Sequence, residues 1–201
     1  SSHLALRDGV RDEKRPHDLL PLYNLMVVGM SEEGKTSLMA TLFVADDPAK
    51  VLLSYYHKIY FVNAKAILSI TAPYDILSER NVNNQFIFMP DIGEREWTGI
   101  KEEARRSTKM SLLVLDDKTG DEELMTHIGG ASNGKDPPGI ITTASHAPPA
   151  GFCIHIWTFA HAWKTDIPKG IRTQAKALAV TKVTAIPPAH TQNSLLLLFA
   201  A

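Results

Sequence analysis

Residues 25–38 read LMVVGMSEEGKTSL, and the predicted fold is organised around this stretch. A short apolar run at residues 25–28 meets the pattern Gly29-x-x-x-x-Gly34-Lys35-Thr36, and a segment with helical periodicity follows. Glycines let the backbone curl so that successive N–H groups point at a phosphate, and the N-terminus of the next helix adds its positive dipole end. A strand, a glycine loop and a helix in this order predict a phosphate-binding P-loop.

The residue types inside the loop predict how it would hold a nucleotide. Lys35 would reach the β- and γ-phosphates, and the Thr36 hydroxyl would bind Mg²⁺. Glu32 and Glu33 oppose anion binding, because like unit charges about 4 Å apart repel by about 4 kcal/mol at an effective dielectric constant near 20. We therefore expect these two side chains to face solvent, with a weakly binding P-loop as the alternative. The predicted nucleotide-binding residues of this stretch are Gly29, Glu33, Gly34, Lys35, Thr36 and Ser37.

Length and composition are those of an ordinary globular domain. The chain has 201 residues, of which 44% are hydrophobic and 21% charged, so one domain with a substantial core is expected. The net charge of −1 gives no electrostatic reason to expect a nucleic-acid or membrane surface. A single cysteine, Cys153, excludes an internal disulfide framework and fits a reducing compartment. The sequence shows neither a signal peptide nor an apolar run of about 20 residues, so a cytoplasmic protein is predicted.

The two ends of the chain differ in character. Residues 1–20 are charged and irregular, and they predict a linker or the end of a preceding region. Residues 21–201 are predicted to form the nucleotide-binding domain. Because the chain begins with Ser1 rather than Met, we expect a module of a longer protein.

Strand-like and helix-like segments alternate along the chain. Beyond the first strand, apolar runs predict strands at residues 111–117, 139–146, 152–159 and 177–183, and residues 85–96 predict a strand that ends in an acidic residue and a glycine turn. Helices are predicted at residues 36–43, 101–109, 122–128 and 192–199. Residues 51–70 fit both templates, and 67–70 are the best second strand. The alternation predicts a three-layer α/β domain with a mainly parallel sheet, with the nucleotide across the carboxyl ends of the strands.

Several segments after the P-loop have a recognisable order. Asp91-Ile92-Gly93-Glu94-Arg95-Glu96 resembles the D-x-x-G-x-E motif of a second switch, and the segments 113–116, 118–120 and 127–128 follow it. Residues 140–146 stand where a base-reading strand with a T-H-x-D motif would lie. In this order the chain resembles the Ras-like P-loop GTPases over residues 22–183. Within them it is most similar to the Roc domains of Roco and leucine-rich-repeat kinase proteins.

This resemblance implies a Ras-like topology and a guanine-nucleotide ligand, GTP or GDP, bound with Mg²⁺. It implies slow GTP hydrolysis as a regulatory switch module of a larger signalling protein, with protein partners or a homodimer. The implied metal-binding residues are Thr36, Asp91 and Thr71, with Ser69 as the alternative to Thr71. The implied catalytic residues are Asp91 and Arg95, where Arg95 stands in the position of the water-positioning glutamine. The further implied nucleotide-binding residues are Gly93, Ser145, His146, Thr181 and Lys182.

Two departures from the GTPase pattern bear on activity. Pro148 has no acidic neighbour where a carboxylate would read guanine, and a site without that group loses most of its discrimination. Glu94 and Arg95 replace residues that act at the γ-phosphate, so hydrolysis at or below about 10⁻⁴ s⁻¹ is predicted. The alternative is a pseudo-GTPase scaffold with little or no turnover.

A second alternative rests on Asp116 and Asp117, which end an apolar run. Such a pair also fits an ATPase in which the first carboxylate holds Mg²⁺ and the second polarises the attacking water. Residues 167–172 are similar to a motif of viral genome-packaging ATPases, with Arg172 as a charge sensor and DNA as the partner. The near-neutral net charge counts against DNA, because DNA-binding surfaces are usually basic.

Overall fold

The computed structural model describes residues 24–29, 34–63, 72–118, 120–129, 153–161, 171–172, 177–182 and 194–199. For the last two segments the description covers the backbone. The strands within these residues are β1 (Leu25–Val28), β2 (Tyr56–Val62), β3 (Phe86–Met89), β4 (Met110–Asp116), β5 (Ile154–Ala160), β6 (Ala177–Lys182) and β7 (Ser194–Phe199). The α-helices are α1 (Lys35–Val44), α2 (Asp46–Tyr55), α3 (Ala72–Glu79), α4 (Glu94–Arg106) and α5 (Glu122–Gly129), and a 3₁₀ turn spans Val82–Asn84.

The seven described strands form one sheet in the order β3-β2-β4-β5-β1-β6-β7. All neighbouring pairs from β3 to β6 are parallel, and only β7 runs antiparallel, against β6. The P-loop strand β1 lies inside the sheet, between β5 and β6. The predicted α/β fold with a mainly parallel sheet is therefore confirmed.

Helices cover both faces of the sheet and make the other two layers. Against one face pack α4 and α5, whose buried residues are Trp97, Ile100, Ala104, Leu124, Met125 and Ile128. Against the other face pack α1, α2 and α3, whose buried residues include Met39, Ala40, Phe43, Leu52, Tyr74 and Leu77. Successive strand residues point to opposite faces, so a strand covered on both sides must be apolar throughout. The run Leu112 to Leu115 in β4 has this pattern, and all four residues are buried.

Phe43 fixes the helix that follows the P-loop. Its ring lies 5.2 Å from Phe61, 5.9 Å from Phe86 and 5.6 Å from Trp157, and the side chain is 1% exposed. Aromatic contacts of this kind add to the free energy gained by burying the ring. Because α1 is held against three strands, its first turn, which carries Lys35, has a fixed position at the edge of the sheet.

Two predicted elements differ from the structure. The run at 192–199 was predicted to be a helix, but residues 194–199 form β7, which pairs with β6. An unbroken apolar run has no periodicity that separates a helix from a buried strand, and pairing with β6 decides the outcome. The second strand spans Tyr56–Val62, whereas the predicted strands at 67–70 and 139–146 lie outside the described residues.

Candidate nucleotide-binding site

The chain enters and leaves the P-loop at two glycines. Gly29 follows β1, and its N–H donates to the carbonyl of Ala160 at 3.0 Å, which aligns the ends of β1 and β5. Gly34 has φ of +78°, in the left-handed region where glycine carries no steric cost. From there the backbone turns directly into α1, and the Leu38 N–H donates to the Gly34 carbonyl at 2.8 Å. The backbone at both ends of the loop is therefore formed as the sequence predicts.

Lys35 brings a cation to the mouth of this loop. The residue is only 6% exposed. Its Nζ donates to the Gly29 carbonyl oxygen at 2.6 Å and lies 3.3 Å from His161 Nδ1. A buried ammonium needs such partners because its desolvation is costly. The lysine is thus held at the end of β1, beside the first glycine of the loop.

Thr36 and Asp116 form the second part of the site. The Thr36 hydroxyl donates to Asp116 Oδ2 at 2.9 Å, although Thr36 lies in the first turn of α1 and Asp116 ends β4. Carboxylate and hydroxyl oxygens are the hard donors that Mg²⁺ prefers in proteins, usually together with waters and phosphate oxygens. The residues present at this point therefore fit Mg²⁺.

Asp116 is 2% exposed, and its carboxylate accepts from two further donors. Asn63 Nδ2 donates to Asp116 Oδ2 at 2.9 Å, and the Tyr74 hydroxyl donates to the same oxygen at 2.7 Å. Burial, followed by the charge of Asp116 and this hydrogen bond, raises the pKa of Tyr74 above its usual value of 10.0. The tyrosine consequently remains a hydrogen-bond donor at physiological pH.

Asp117, which follows Asp116 in the chain, is connected to Lys35 through His161. Asp117 Oδ1 lies 2.7 Å from His161 Nε2, and the opposite ring nitrogen of His161 faces Lys35 Nζ. Because a protonated lysine has only donors, Nδ1 must accept from Lys35, so Nε2 carries the proton that is donated to Asp117. Asp117 has φ of +57°, and its side chain is 56% exposed. A solvent-accessible carboxylate therefore stands directly beside the buried Asp116.

The second-switch residues lie elsewhere along the same edge of the sheet. Asp91 and Gly93 follow β3, which is four strand positions from β1, or about 19 Å at the usual spacing. The Asp91 carboxylate is 62% exposed and lies 3.1 Å from Lys118 Nζ, whose hydrogen bond lowers the Asp91 pKa. Arg95 is exposed in the first turn of α4. The structure joins Asp116, rather than Asp91, to Thr36 by a hydrogen bond.

The remaining predicted site residues fall into two groups. Ser37 is exposed in the first turn of α1, and Thr181 and Lys182 end β6 directly after Val180, which is in register with Val28 of β1. The backbone thus brings Thr181 and Lys182 to the sheet edge at which the P-loop begins. Outside the described residues lie the predicted site residues Glu33, Thr71, Ser145 and His146.

Three residues of the site were missed by the sequence interpretation, namely Asn63, Tyr74 and His161. Asn63 and His161 each follow an apolar strand directly, and polar residues at the carboxyl ends of parallel strands are candidates for ligand contacts. Their position could therefore have identified them. Tyr74 lies in α3, where nothing in the local sequence distinguishes it from a core tyrosine.

Within the described residues, no helix has both the length and the apolar character that a membrane span requires.

Comparisons with known proteins identify the fold. No protein-family model matches the sequence, and no curated protein matches it either. Among solved structures, the chain is similar to the N-terminal domain of zonular occludens toxin from Neisseria meningitidis, at 14% identity and a TM-score of 0.51, over 89% of this chain and 85% of that one. It is also similar to B204, the DNA-packaging ATPase from Sulfolobus turreted icosahedral virus, at 17% identity and a TM-score of 0.51, over 82% and 77%.

A third similar structure is the genome packaging NTPase B204 from Sulfolobus turreted icosahedral virus 2 in complex with AMP, at 13% identity and a TM-score of 0.50, over 82% and 77%. These likenesses support a P-loop NTPase fold and do not single out the Ras-like or Roc GTPases. Together with the sheet order and the geometry at Lys35 and Thr36, they show that this chain has the P-loop NTPase fold.

Proposed function

We propose that this protein binds and hydrolyses ATP in a Mg²⁺-dependent reaction. The observation that carries the proposal is the hydrogen bond of 2.9 Å between the Thr36 hydroxyl and Asp116 Oδ2, beside the buried Lys35. This places an ammonium, a hydroxyl and a carboxylate at the end of one glycine loop. Lys35 binds the β- and γ-phosphates, and Thr36 and Asp116 hold the metal. When bound, Mg²⁺ supplies neutralisation of the charge on the phosphate oxygens.

Asp117 is the residue proposed to orient the attacking water. Its carboxylate is accessible to solvent and follows the proposed metal ligand by one position. His161 donates to Asp117 and accepts from Lys35, so it fixes the carboxylate relative to the phosphate-binding cation. Positioning and electrostatic stabilisation provide most of the catalysis in phosphoryl transfer. Arg95 and Asp91, the catalytic residues implied by the GTPase resemblance, have no part in this proposal.

Adenine is favoured over guanine by two observations. Pro148 stands without an acidic neighbour where a guanine-reading carboxylate would lie, and a similar structure is described in complex with AMP. A site without the guanine-reading carboxylate has lost the group that rejects adenine. ATP is therefore the proposed substrate.

DNA is the proposed macromolecular partner. The similarity in fold to a DNA-packaging ATPase supports this choice, whereas the net charge of −1 provides no electrostatic support for it. Arg172, the candidate charge sensor, is half-buried, and its Nε has no hydrogen-bond partner among the described residues. DNA-dependent stimulation of hydrolysis is the corresponding expectation.

A guanine-nucleotide switch in the cytoplasm is the second candidate function. It is favoured by Asp91 and Gly93, which connect β3 to α4 as the resemblance to Ras-like proteins implies. Under this hypothesis GTP, rather than ATP, would stabilise the protein, and hydrolysis would be slow. The pseudo-GTPase alternative would show no stabilisation by either nucleotide.

One experiment distinguishes these functions. The thermal unfolding of the chain would be followed with ATPγS or GTPγS, with Mg²⁺ or with EDTA, and phosphate release from ATP and GTP would be measured with and without double-stranded DNA. The proposal predicts a Mg²⁺-dependent shift with ATPγS and phosphate release from ATP that DNA increases. A shift with GTPγS alone would overturn it in favour of the switch, and no shift with either analogue would overturn both.

A further inference from the structure

Three separate segments of the chain converge on one oxygen of Asp116. Thr36 at the start of α1 donates to Oδ2 at 2.9 Å, Asn63 after β2 at 2.9 Å, and Tyr74 in α3 at 2.7 Å. The residues Asn63, Tyr74 and Asp116 are 7%, 3% and 2% exposed. The charge of this buried carboxylate therefore has three specific hydrogen-bond donors as partners.

The three hydrogen bonds to Oδ2 determine the orientation of the Asp116 carboxylate. A carboxylate has about four lone-pair sites on two oxygens, and three donors occupy Oδ2. Among the described residues, the side-chain hydrogen bonds to this carboxylate all go to Oδ2, which leaves Oδ1 as the oxygen for a further ligand. Asn63 Nδ2 also donates to the Asp116 backbone carbonyl at 3.1 Å, which fixes the main chain and the side chain of the same residue.

We propose that Tyr74 and Asn63 are positioning residues that orient the Asp116 carboxylate so that Oδ1 and Thr36 face the bound Mg²⁺. This inference rests on the proposed function, because it requires Asp116 to be a metal ligand. Groups that hydrogen-bond to a metal ligand fix its orientation, and losing one typically lowers metal affinity or activity by about 10- to 100-fold.

Tyr74 allows the hydrogen bond to be separated from packing. Its ring contributes to the core and lies 6.4 Å from the ring of Phe88. Tyr74→Phe keeps the ring and removes only the hydroxyl. Tyr60 offers a matched control, because it is 5% exposed and donates to a carboxylate, Glu103 Oε2, at 2.9 Å, outside the Asp116 network.

The experiment compares Tyr74→Phe with Tyr60→Phe by two measurements. The first is the affinity for Mn²⁺ in the presence of ATPγS, from the electron paramagnetic resonance signal of free Mn²⁺. The second is the Mg²⁺ concentration that gives half-maximal ATP hydrolysis. Tyr74→Phe is expected to weaken Mn²⁺ binding and raise the Mg²⁺ midpoint by about tenfold, with ATPγS binding in EDTA unchanged. Tyr60→Phe is expected to match the parent in all three.

Equal Mn²⁺ affinity in Tyr74→Phe and the parent would overturn the positioning role while leaving the proposed function in place. A parent that binds ATPγS without any Mn²⁺ or Mg²⁺ response would overturn both. Should Tyr74→Phe fail to fold, Asn63→Ala removes a different donor to Asp116, and its Mn²⁺ affinity decides the matter in the same way.

Discussion

The hydroxyl of Thr36 donates to Asp116 Oδ2 at 2.9 Å, although 80 positions separate the two residues in the sequence. The contact depends on β5, which lies between the strands that lead to them and holds both in parallel register. The carboxyl ends of β1 and β4 therefore bring the proposed phosphate-binding and metal-binding residues together. The predictions below test the parts of this arrangement one at a time.

Lys35→Ala should abolish binding of ATPγS. The loop then lacks the cation that offsets phosphate charge, while alanine continues the helix without strain. Binding would be measured by isothermal titration calorimetry, with the exposed Lys50 of α2 replaced by alanine as the control. Equal affinity in Lys35→Ala and the parent would show that the P-loop no longer functions as one.

Asp117→Asn should lower kcat for ATP by at least about 100-fold with little change in KM, because a group that assists proton transfer acts mainly in the transition state. Asparagine tolerates the left-handed backbone that Asp117 adopts at φ of +57°. The loss would therefore report the carboxylate rather than strain.

The control for this variant is Asp121→Asn. Asp121 caps α5 by accepting from the Leu124 N–H at 3.0 Å, and asparagine caps equally well. We expect parent-like steady-state kinetics from Asp121→Asn. A kcat for Asp117→Asn within twofold of the parent would remove Asp117 from the mechanism.

Asp91→Asn should leave both ATPγS affinity and the Mg²⁺ dependence of hydrolysis unchanged, since Asp91 pairs with Lys118 at an exposed position. An exposed ion pair of this kind contributes about 0 to 1 kcal/mol to stability, so the free energy of unfolding should also change little. Asp116→Asn, measured in parallel by Mg²⁺ titration, should lose the metal response. The opposite pattern would support the second-switch interpretation of Asp91.

The local sequence was sufficient to predict the P-loop and the buried strand that ends at Asp116. It was not sufficient to predict that the two lie side by side. A strand, a glycine loop and a helix are encoded within residues 25–43, and the apolar run before Asp116 indicates a buried strand. Four strands, β2, β3, β4 and β5, are followed or ended by polar residues at one edge, namely Asn63, Asp91, Asp116 and His161. Which of them faces the P-loop depends on the strand order, which local periodicity does not contain.

Tyr74 shows a second reason for incomplete prediction. Its hydroxyl reaches Asp116 from a helix on the face of the sheet, 42 positions away in sequence. An aromatic residue in an apolar helix face predicts burial, as is observed, but its hydrogen-bond partner depends on tertiary packing. The helix prediction for residues 192–199 failed for the same reason, because only the pairing with β6 distinguishes a strand from a helix in this apolar run.

The last prediction concerns stability at low pH and His155 in β5. The Tyr56 hydroxyl lies 2.8 Å from His155 Nδ1, and the ring of Tyr55 stacks on the histidine at 6.0 Å. Burial lowers the His155 pKa from 6.5 to about 4. Between these values the unfolded chain binds a proton at His155 that the folded chain does not. Stability from this group is therefore complete above pH 6.5 and decreases as the pH falls toward about 4.

The free energy of unfolding from urea titrations near pH 7 and near pH 4.5 would measure this effect in the parent and in His155→Gln. The pKa difference corresponds to at most about 3 kcal/mol. Glutamine keeps a polar partner for Tyr56 but takes up no proton, so the variant should lose about 2 kcal/mol less than the parent over this interval. Other titrating groups are common to both proteins and cancel in the comparison. Equal losses in the two proteins would mean that His155 is protonated in the folded chain as readily as in the unfolded one.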